Sequence, residues 1–287
     1  MSTENQSFTI LGAAGFIGAA LVAWLENRGC TVHAVTRASL PALFATRQQA
    51  GHVIDCIGLT GDFRVRPLDT AEAHVGLVAR CLSKLRFESF LLLSSTRVYA
   101  RAAITYEDAV LPTLPSDPSD LYNVTKLAGE ALCLADSRMT SRVARLSNVY
   151  GRGMPAETFL GQVLHEGARS GGVMFRQSAN SAKDYVSMDA VVRQLPEIAA
   201  RGRQRLYNVA AGSNTSHGEI ADRLYSFAGW RTGFTPNAPI VRSAPIETTR
   251  ITTEFGAISS SLIADLPSLL PLEQEDQCSP STSHLAA

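Results

Sequence analysis

A tyrosine and a lysine stand one helical turn apart in Tyr122-Asn-Val-Thr-Lys126. At positions i and i+4 they share one face of a helix. A free phenol titrates near ~10, too high for proton transfer at neutral pH. An ammonium one turn away favours phenolate and moves the group toward the working range. Upstream, Ser94-Ser95-Thr96-Arg97-Val98-Tyr99 follows directly on the apolar run Phe90-Leu-Leu-Leu93. If that run is a strand, Ser95 stands at its carboxyl end, where open α/β sheets bind ligands. A hydroxyl there can hold a carbonyl oxygen while Tyr122 gives or takes the proton. Alone, the Tyr/Lys spacing commonly marks a solvated surface pair, so other signals must place it.

The placing signal is Gly12-Ala-Ala-Gly15-Phe16-Ile17-Gly18, between the apolar run Phe8-Thr-Ile-Leu11 and a helical pattern. One glycine turns tightly, one lets backbone N–H groups approach a pyrophosphate, and one lets helix pack on strand. The helix N-terminus then faces the negative charge. The next strand ends in Thr36-Arg37 with no carboxylate nearby. A carboxylate there selects the ribose hydroxyl of NAD, whereas a guanidinium suits a 2′-phosphate. The expected cofactor is therefore NADP(H). The competing reading of Arg37 is a solvated residue at a strand end.

These groups need an alternating scaffold, and the pattern supplies one. Strands are expected at 8–11, 31–35, 52–57, 89–94 and 142–146, and helices at 16–28, 40–49, 70–85 and 120–137. Apolar strands alternating with amphipathic helices predict a parallel sheet covered on both faces, a Rossmann-type doubly wound α/β fold. Beyond Gly151 the expected elements are a helix at 157–169, strands at 173–176 and 206–210, and a capped helix at 216–228. The expected organisation is a dinucleotide-binding domain over 1–150, with strand 205–210 returning to its sheet. A smaller substrate-binding lobe is expected over 151–272 and a disordered polar tail over 273–287.

The bulk composition narrows the partners. Of 287 residues, 45% are hydrophobic and 18% charged, which suits a globular protein rather than a disordered one. Acidic and basic residues balance at 26 each, so no net field favours nucleic acid or an anionic membrane. Cys30, Cys56, Cys81, Cys133 and Cys278 are scattered and read as free thiols of a reducing cytoplasm. No apolar stretch approaches the ~20 residues that cross a bilayer. His33, His52, His165, His217 and His284 have no metal-ligand spacing, and no metal is expected.

Taken together, the glycine turn, the Ser94–Tyr99 segment, the Tyr122/Lys126 pair, Arg145-Leu-Ser147-Asn148-Val149-Tyr-Gly151 and Lys183-Asp-Tyr-Val186 resemble the extended short-chain dehydrogenase/reductases, the NAD(P)-dependent epimerase/dehydratase family. The resemblance covers Phe8 to about Gly256. It implies that Ser95 and Tyr122 are the acid/base pair and that Lys126 also holds the nicotinamide ribose. It implies that Ser147, Asn148 and Val149 line the nicotinamide, and that Asn148 and Lys183 meet a nucleotide-sugar substrate. It further implies a homodimer formed through the helix carrying Tyr122.

Three departures from the family carry information. Sugar-nucleotide 4,6-dehydratases place an acidic pair after the catalytic hydroxyl residue, but here Thr96 and Arg97 stand there, which disfavours elimination of water. Only about fifteen residues separate Arg37 from Val53, so the usual edge strand beyond the second strand is expected to be missing. His74 stands where relatives carry an asparagine, and a packed or solvated role is favoured over a catalytic one. The resulting reading is an NADPH-dependent ketoreductase. Its first substrate class is a nucleotide-linked 4-keto-6-deoxy sugar, with Thr96, Arg97, Asn148, Lys183 and Arg250 as candidate substrate contacts. The alternatives are a ketoreductase acting on a secondary-metabolite or small organic ketone, a sugar-nucleotide epimerase, and a non-enzymatic NADP-sensing protein.

Overall fold

The computed structural model describes residues 6–46, 49–59 and 61–270. The tail expected over 273–287, with Cys278 and His284, lies outside them. The chain opens with β1 (Ser7–Leu11), α1 (Phe16–Glu26), β2 (Thr31–Val35), α2 (Leu40–Ala45) and β3 (His52–Asp55). A segmented helix follows: α3 (Pro67–Ala71), one π turn (Glu72–Gly76) and α4 (Leu77–Lys84). Next come β4 (Ser89–Ser95), a 3-10 turn (Thr96–Tyr99), α5 (Asp120–Ala135) and β5 (Ser141–Leu146). The second half contains β6 (Asn148–Tyr150), α6 (Phe159–Ser170), β7 (Gly172–Phe175), β8 (Ala182–Ser187) and α7 (Met188–Arg201). It ends with β9 (Leu206–Val209), β10 (Asn214–Ser216), α8 (His217–Ala228), β11 (Arg231–Phe234), α9 (Thr249–Phe255) and α10 (Leu262–Leu269).

Six strands form one parallel sheet in the order β2-β1-β3-β4-β5-β9. Alternation along each strand supplies two apolar faces. On one, Phe8, Ile10, Ile54, Leu91 and Leu93 pack against Leu21 and Leu25 of α1 and Val191, Leu195 and Ile198 of α7. On the other, Leu11, Val53, Phe90, Leu92 and Val143 pack against Val78 and Cys81 of α4 and Cys133 of α5. Burial of each such aliphatic side chain contributes about 1.5–3 kcal/mol.

The expected gap in the sheet is present. From β2 the chain passes through α2 straight to β3 on the far side of β1, so β2 is the edge and its Thr31, His33 and Ala34 are exposed. Reversal of direction between β1 and β3 is the topological switch point of such sheets, and the glycine turn follows β1 there.

The smaller lobe has its own core. Tyr150, Leu160, Leu164, Phe175, Tyr185, Ile220 and Leu224 cluster between α6, α8 and α10 and two small sheets, β10-β8-β6 and β11-β7. Helix α8 starts in a reciprocal cap between Ser216 and Glu219 and stops at left-handed Gly229. Helix α7, which falls inside 151–272, packs on the main sheet rather than in this lobe. Among the described residues, no helix is long and apolar enough to cross a membrane, and no group of His, Cys, Asp and Glu could hold a metal ion.

Candidate active site

The glycine turn is built by exclusion. Gly12 sits at φ +77°, and a Cβ on Gly18 would lie 2.2 Å from the Gly12 carbonyl oxygen, so neither position tolerates a side chain. Gly15 caps α1, and Phe16, Ile17 and Gly18 form its first turn, whose N–H groups face outward from the helix end. A cradle of backbone donors with no side chain in the way fits a dinucleotide pyrophosphate. Arg37 is exposed beyond β2, beside a turn in which Ser39 Oγ accepts the Thr36 N–H at 2.9 Å.

Contacts carry this cradle to the acid-base groups. A Cβ on Gly12 would lie 3.0 Å from Ile57, and one on Gly58 would lie 3.4 Å from Lys126 Nζ. The loop after β3 therefore touches the glycine turn with one residue and the lysine with the next. On the other side, a Cβ on Gly151 would lie 3.7 Å from the Phe16 ring, which brings the segment after β5 to the same turn. In that segment Ser147 is buried, Val149 packs on the core, and Asn148 Nδ2 donates to the Asp184 carbonyl at 2.7 Å.

Ser95 ends β4 and caps the 3-10 turn, its Oγ accepting the Arg97 N–H at 3.2 Å. The Ser95 hydroxyl also acts on the Tyr122 phenol, favouring its ionised form. Tyr122 is buried, with Phe63 against its ring at 5.5 Å and His74 edge-on at 5.2 Å. Burial raises the phenol above its ordinary pKa, and the Ser95 hydroxyl and the Arg97 charge oppose that rise. The sequence suggested that Lys126 would bring the phenol down toward neutrality. Instead Lys126 Nζ donates to the Leu93 carbonyl at 2.9 Å and stands 5.9 Å from the centre of the Tyr122 ring. Burial pushes Lys126 down to about 8, against the pull of Asp55.

Asp55 and His74 complete the floor of the site. Asp55 is wholly buried at the end of β3; Oδ1 accepts the Ile57 N–H at 3.0 Å, and Oδ2 has no hydrogen-bond partner among the described residues. Burial raises this carboxyl to about 6, against the Ile57 N–H and the Lys126 charge. His74 lies in the π turn, bonds Thr125 Oγ1 through Nδ1 at 2.9 Å, and accepts the Leu59 N–H at 3.4 Å. Burial, then Lys126, holds it at about 3, so it is neutral. Asp55 was not singled out from the sequence, although a carboxylate closing the apolar run His52-Val-Ile-Asp55 is a readable signal.

The mouth of the site is cationic. Arg97 stacks on Phe63 at 5.1 Å and on Tyr122 at 5.5 Å, while Thr96 opens the 3-10 turn beside it. Arg64 also lies over the Phe63 ring, at 4.4 Å. Lys183 on β8 lies over the Phe159 ring at 5.1 Å, and Phe159 stacks on His217 at 4.3 Å. Burial and the Arg97 charge both lower Lys183. Arg250 is elsewhere: it pairs with Asp108 and Glu107 and donates to the Leu206 carbonyl at 3.0 Å. Its charge is committed to tying α9 to the loop after the 3-10 turn.

Comparison with known proteins agrees with this architecture. The protein MoeE5, solved with UDP-glucose and NAD, is 25% identical and superposes with TM-score 0.76 over 92% of this chain and 97% of its own. RMD from Pseudomonas aeruginosa, solved with NADPH, is 22% identical with TM-score 0.76 over 93% of this chain and 98% of its own. UDP-glucose 4-epimerase from Thermotoga maritima, solved with UDP-glucose, is 17% identical with TM-score 0.75 over 92% and 97%. A search of curated protein sequences gives no significant match. The profile of one family matches residues 8–210, spanning the glycine turn, the serine strand end and the Tyr/Lys helix, and this chain belongs to that family, the NAD dependent epimerase/dehydratase family.

Proposed function

We propose that the protein is an NADPH-dependent ketoreductase acting on a nucleotide-linked 4-keto-6-deoxy sugar. One observation carries the reading: Ile57, Gly58 and Lys126 join the glycine turn to Tyr122, the phenol on which the Ser95 hydroxyl acts. A bound nicotinamide would supply hydride to the carbonyl carbon. Ser95 donates to the carbonyl oxygen and Tyr122 delivers its proton as that oxygen gains charge. Lys126 holds the nicotinamide ribose. The first turn of α1 receives the pyrophosphate, and Arg37 with the Thr36 and Ser39 hydroxyls offers a 2′-phosphate a forked cation and two further donors.

The mouth supports the substrate class. Lys183, held over the Phe159 ring, offers charge to a diphosphate. MoeE5 was solved with a nucleotide sugar and NAD, and RMD with NADPH, which supports a nucleotide-sugar substrate and a nicotinamide cofactor of either kind. Thr96 and Arg97 offer no carboxylate for removing a proton from the sugar ring, so net reduction is favoured over dehydration.

The test follows NADPH absorbance with a panel of nucleotide-linked 4-keto-6-deoxy sugars and small ketones. Oxidation of NADPH with the former, lost by ~10³-fold in Tyr122→Phe while NADPH still binds, supports the reading. Equal use of NADPH and NADH, unchanged in Arg37→Ala, sinks the cofactor assignment. Turnover confined to the small ketones sinks the substrate assignment.

A further inference from the structure

The lysine one turn along its helix is not the only cation beside Tyr122: Arg97 lies 5.5 Å from the ring centre and Lys126 5.9 Å. Lys126 is turned to the Leu93 carbonyl and lies close to the Asp55 carboxyl. Arg97 lies over the Tyr122 ring at 5.5 Å and over the Phe63 ring at 5.1 Å, with its Nη2 donating to the Ser119 carbonyl at 3.3 Å. The same residue's backbone N–H donates to Ser95 Oγ, the hydroxyl that acts on the phenol. One residue thus orients both hydroxyls of the acid-base pair.

The other groups around the phenol do not supply this charge. His74, facing it from the π turn, is neutral. Asp120, two residues earlier on α5, is bound by Arg101 Nε at 2.7 Å and by the Leu114 N–H at 2.7 Å. Asp117 is likewise held by Arg101. Arg64 and Lys183 are cations, and both act on Arg97. Among the described residues no carboxylate lies within ion-pair distance of Arg97; Asp120 and Asp117 act on its charge only from further away.

We propose that Arg97 is a positioning residue that acts through Tyr122, its clamped guanidinium supplying the positive charge that makes the phenol a usable proton donor. The proposal rests on Tyr122 being the acid of the reaction. Removing the cation leaves only the Ser95 hydroxyl to oppose burial, which favours the protonated phenol. In Arg97→Gln, ionisation of Tyr122, read as the ultraviolet difference between each protein and its Tyr122→Phe counterpart, moves up by about one pH unit. Arg97→Lys recovers part of that, and Phe63→Leu, which loosens the clamp, gives a smaller upward move. With a ketone substrate, reduction needs the protonated phenol, so the alkaline fall in kcat moves up equally in Arg97→Gln. A Tyr122 titration that superimposes in wild type and Arg97→Gln, both folded by circular dichroism, overturns the proposal and leaves the ketoreductase reading standing. A titration that shifts in a protein reducing no ketone sustains the Arg97 assignment and sinks that reading instead.

Discussion

Helix α5 carries two buried charges one turn apart, Lys126 and Glu130, in opposite kinds of surroundings. Glu130 takes Arg145 on both oxygens, with Nη2 at 2.6 Å, and a further bond from the Ser94 hydroxyl. Arg145 then donates to Tyr99 Oη at 2.7 Å and to the Glu107 carbonyl at 3.1 Å, and Tyr99 donates onward to Asn208 at 2.9 Å. Every member of that network is met. Among the described residues the Lys126 ammonium makes a single hydrogen bond, and the nearby Asp55 keeps one oxygen without a partner. A saturated buried network fixes β4, β5, β9 and the loop after the 3-10 turn against one another. A half-met one leaves polar atoms free to act on a ligand, and perturbed titration accompanies it.

The contrast breaks most visibly at Arg145. Arg145→Met leaves Glu130 charged, buried and unpaired, and should cost about 3–5 kcal/mol in denaturant unfolding. The double variant Arg145→Met with Glu130→Leu should recover part of that loss. Lys126→Met should behave in the reverse way. It should retain most of its thermal stability yet lose ~10³-fold in kcat/KM, about 4 kcal/mol of transition-state stabilisation. If Lys126→Met melts as far down as Arg145→Met, the two charges do the same work and the distinction fails.

Asp55 sharpens the same contrast through pH. Its folded carboxyl titrates at about 6 against an ordinary 3.8, because burial disfavours the charged form. The folded state keeps a proton that the unfolded chain releases, so the stabilising contribution is present at low pH. It is lost as pH rises from about 4 to about 6. Relative to Asp55→Asn, the wild type should therefore lose stability across that window, by no more than about 3 kcal/mol, and the gap should be constant above it. Urea unfolding of both proteins in steps of pH reads this directly. Parallel stability curves would mean that the carboxyl is solvated like any other.

What could be read from the residues alone follows from the range of the interactions. The glycine turn, the strand end at Ser95 and the Tyr122/Lys126 face are local patterns, and the short span from Arg37 to β3 left too few residues for an edge strand. Strands β6 and β10, of three residues each, are too short to show a period, and α7 carries Pro196 inside its apolar pattern. Arg250 was expected near the substrate because a lone arginine advertises charge. Its partner Asp108 lies 142 positions earlier, a separation no local pattern reports. The pairing of His74 with Thr125 across 51 positions was hidden for the same reason.

His74 gives the smallest and most discriminating effect. Because the Leu59 N–H donates to Nε2, the ring proton sits on Nδ1 and points to Thr125, which passes its own proton to the Leu121 carbonyl at 2.9 Å. The ring is 1% exposed, and it holds near 3 because burial and Lys126 both oppose a second proton. His74→Phe keeps a ring edge-on to Tyr122 and removes both hydrogen bonds, for a loss of about 1–2 kcal/mol at neutral pH. Below the ordinary histidine value of 6.5 the unfolded wild type takes a proton that the folded one refuses, so wild-type stability falls with pH while the variant lacks that term. The gap between them should narrow by about 1 kcal/mol by about pH 5.5, and the pH profile of turnover above that should be unchanged. A gap that stays constant, or a turnover profile that loses an ionisation in His74→Phe, would show an imidazole that titrates in the working range. His74 would then stand with Lys126 and Asp55 among the groups left open for chemistry rather than with the saturated network around Arg145.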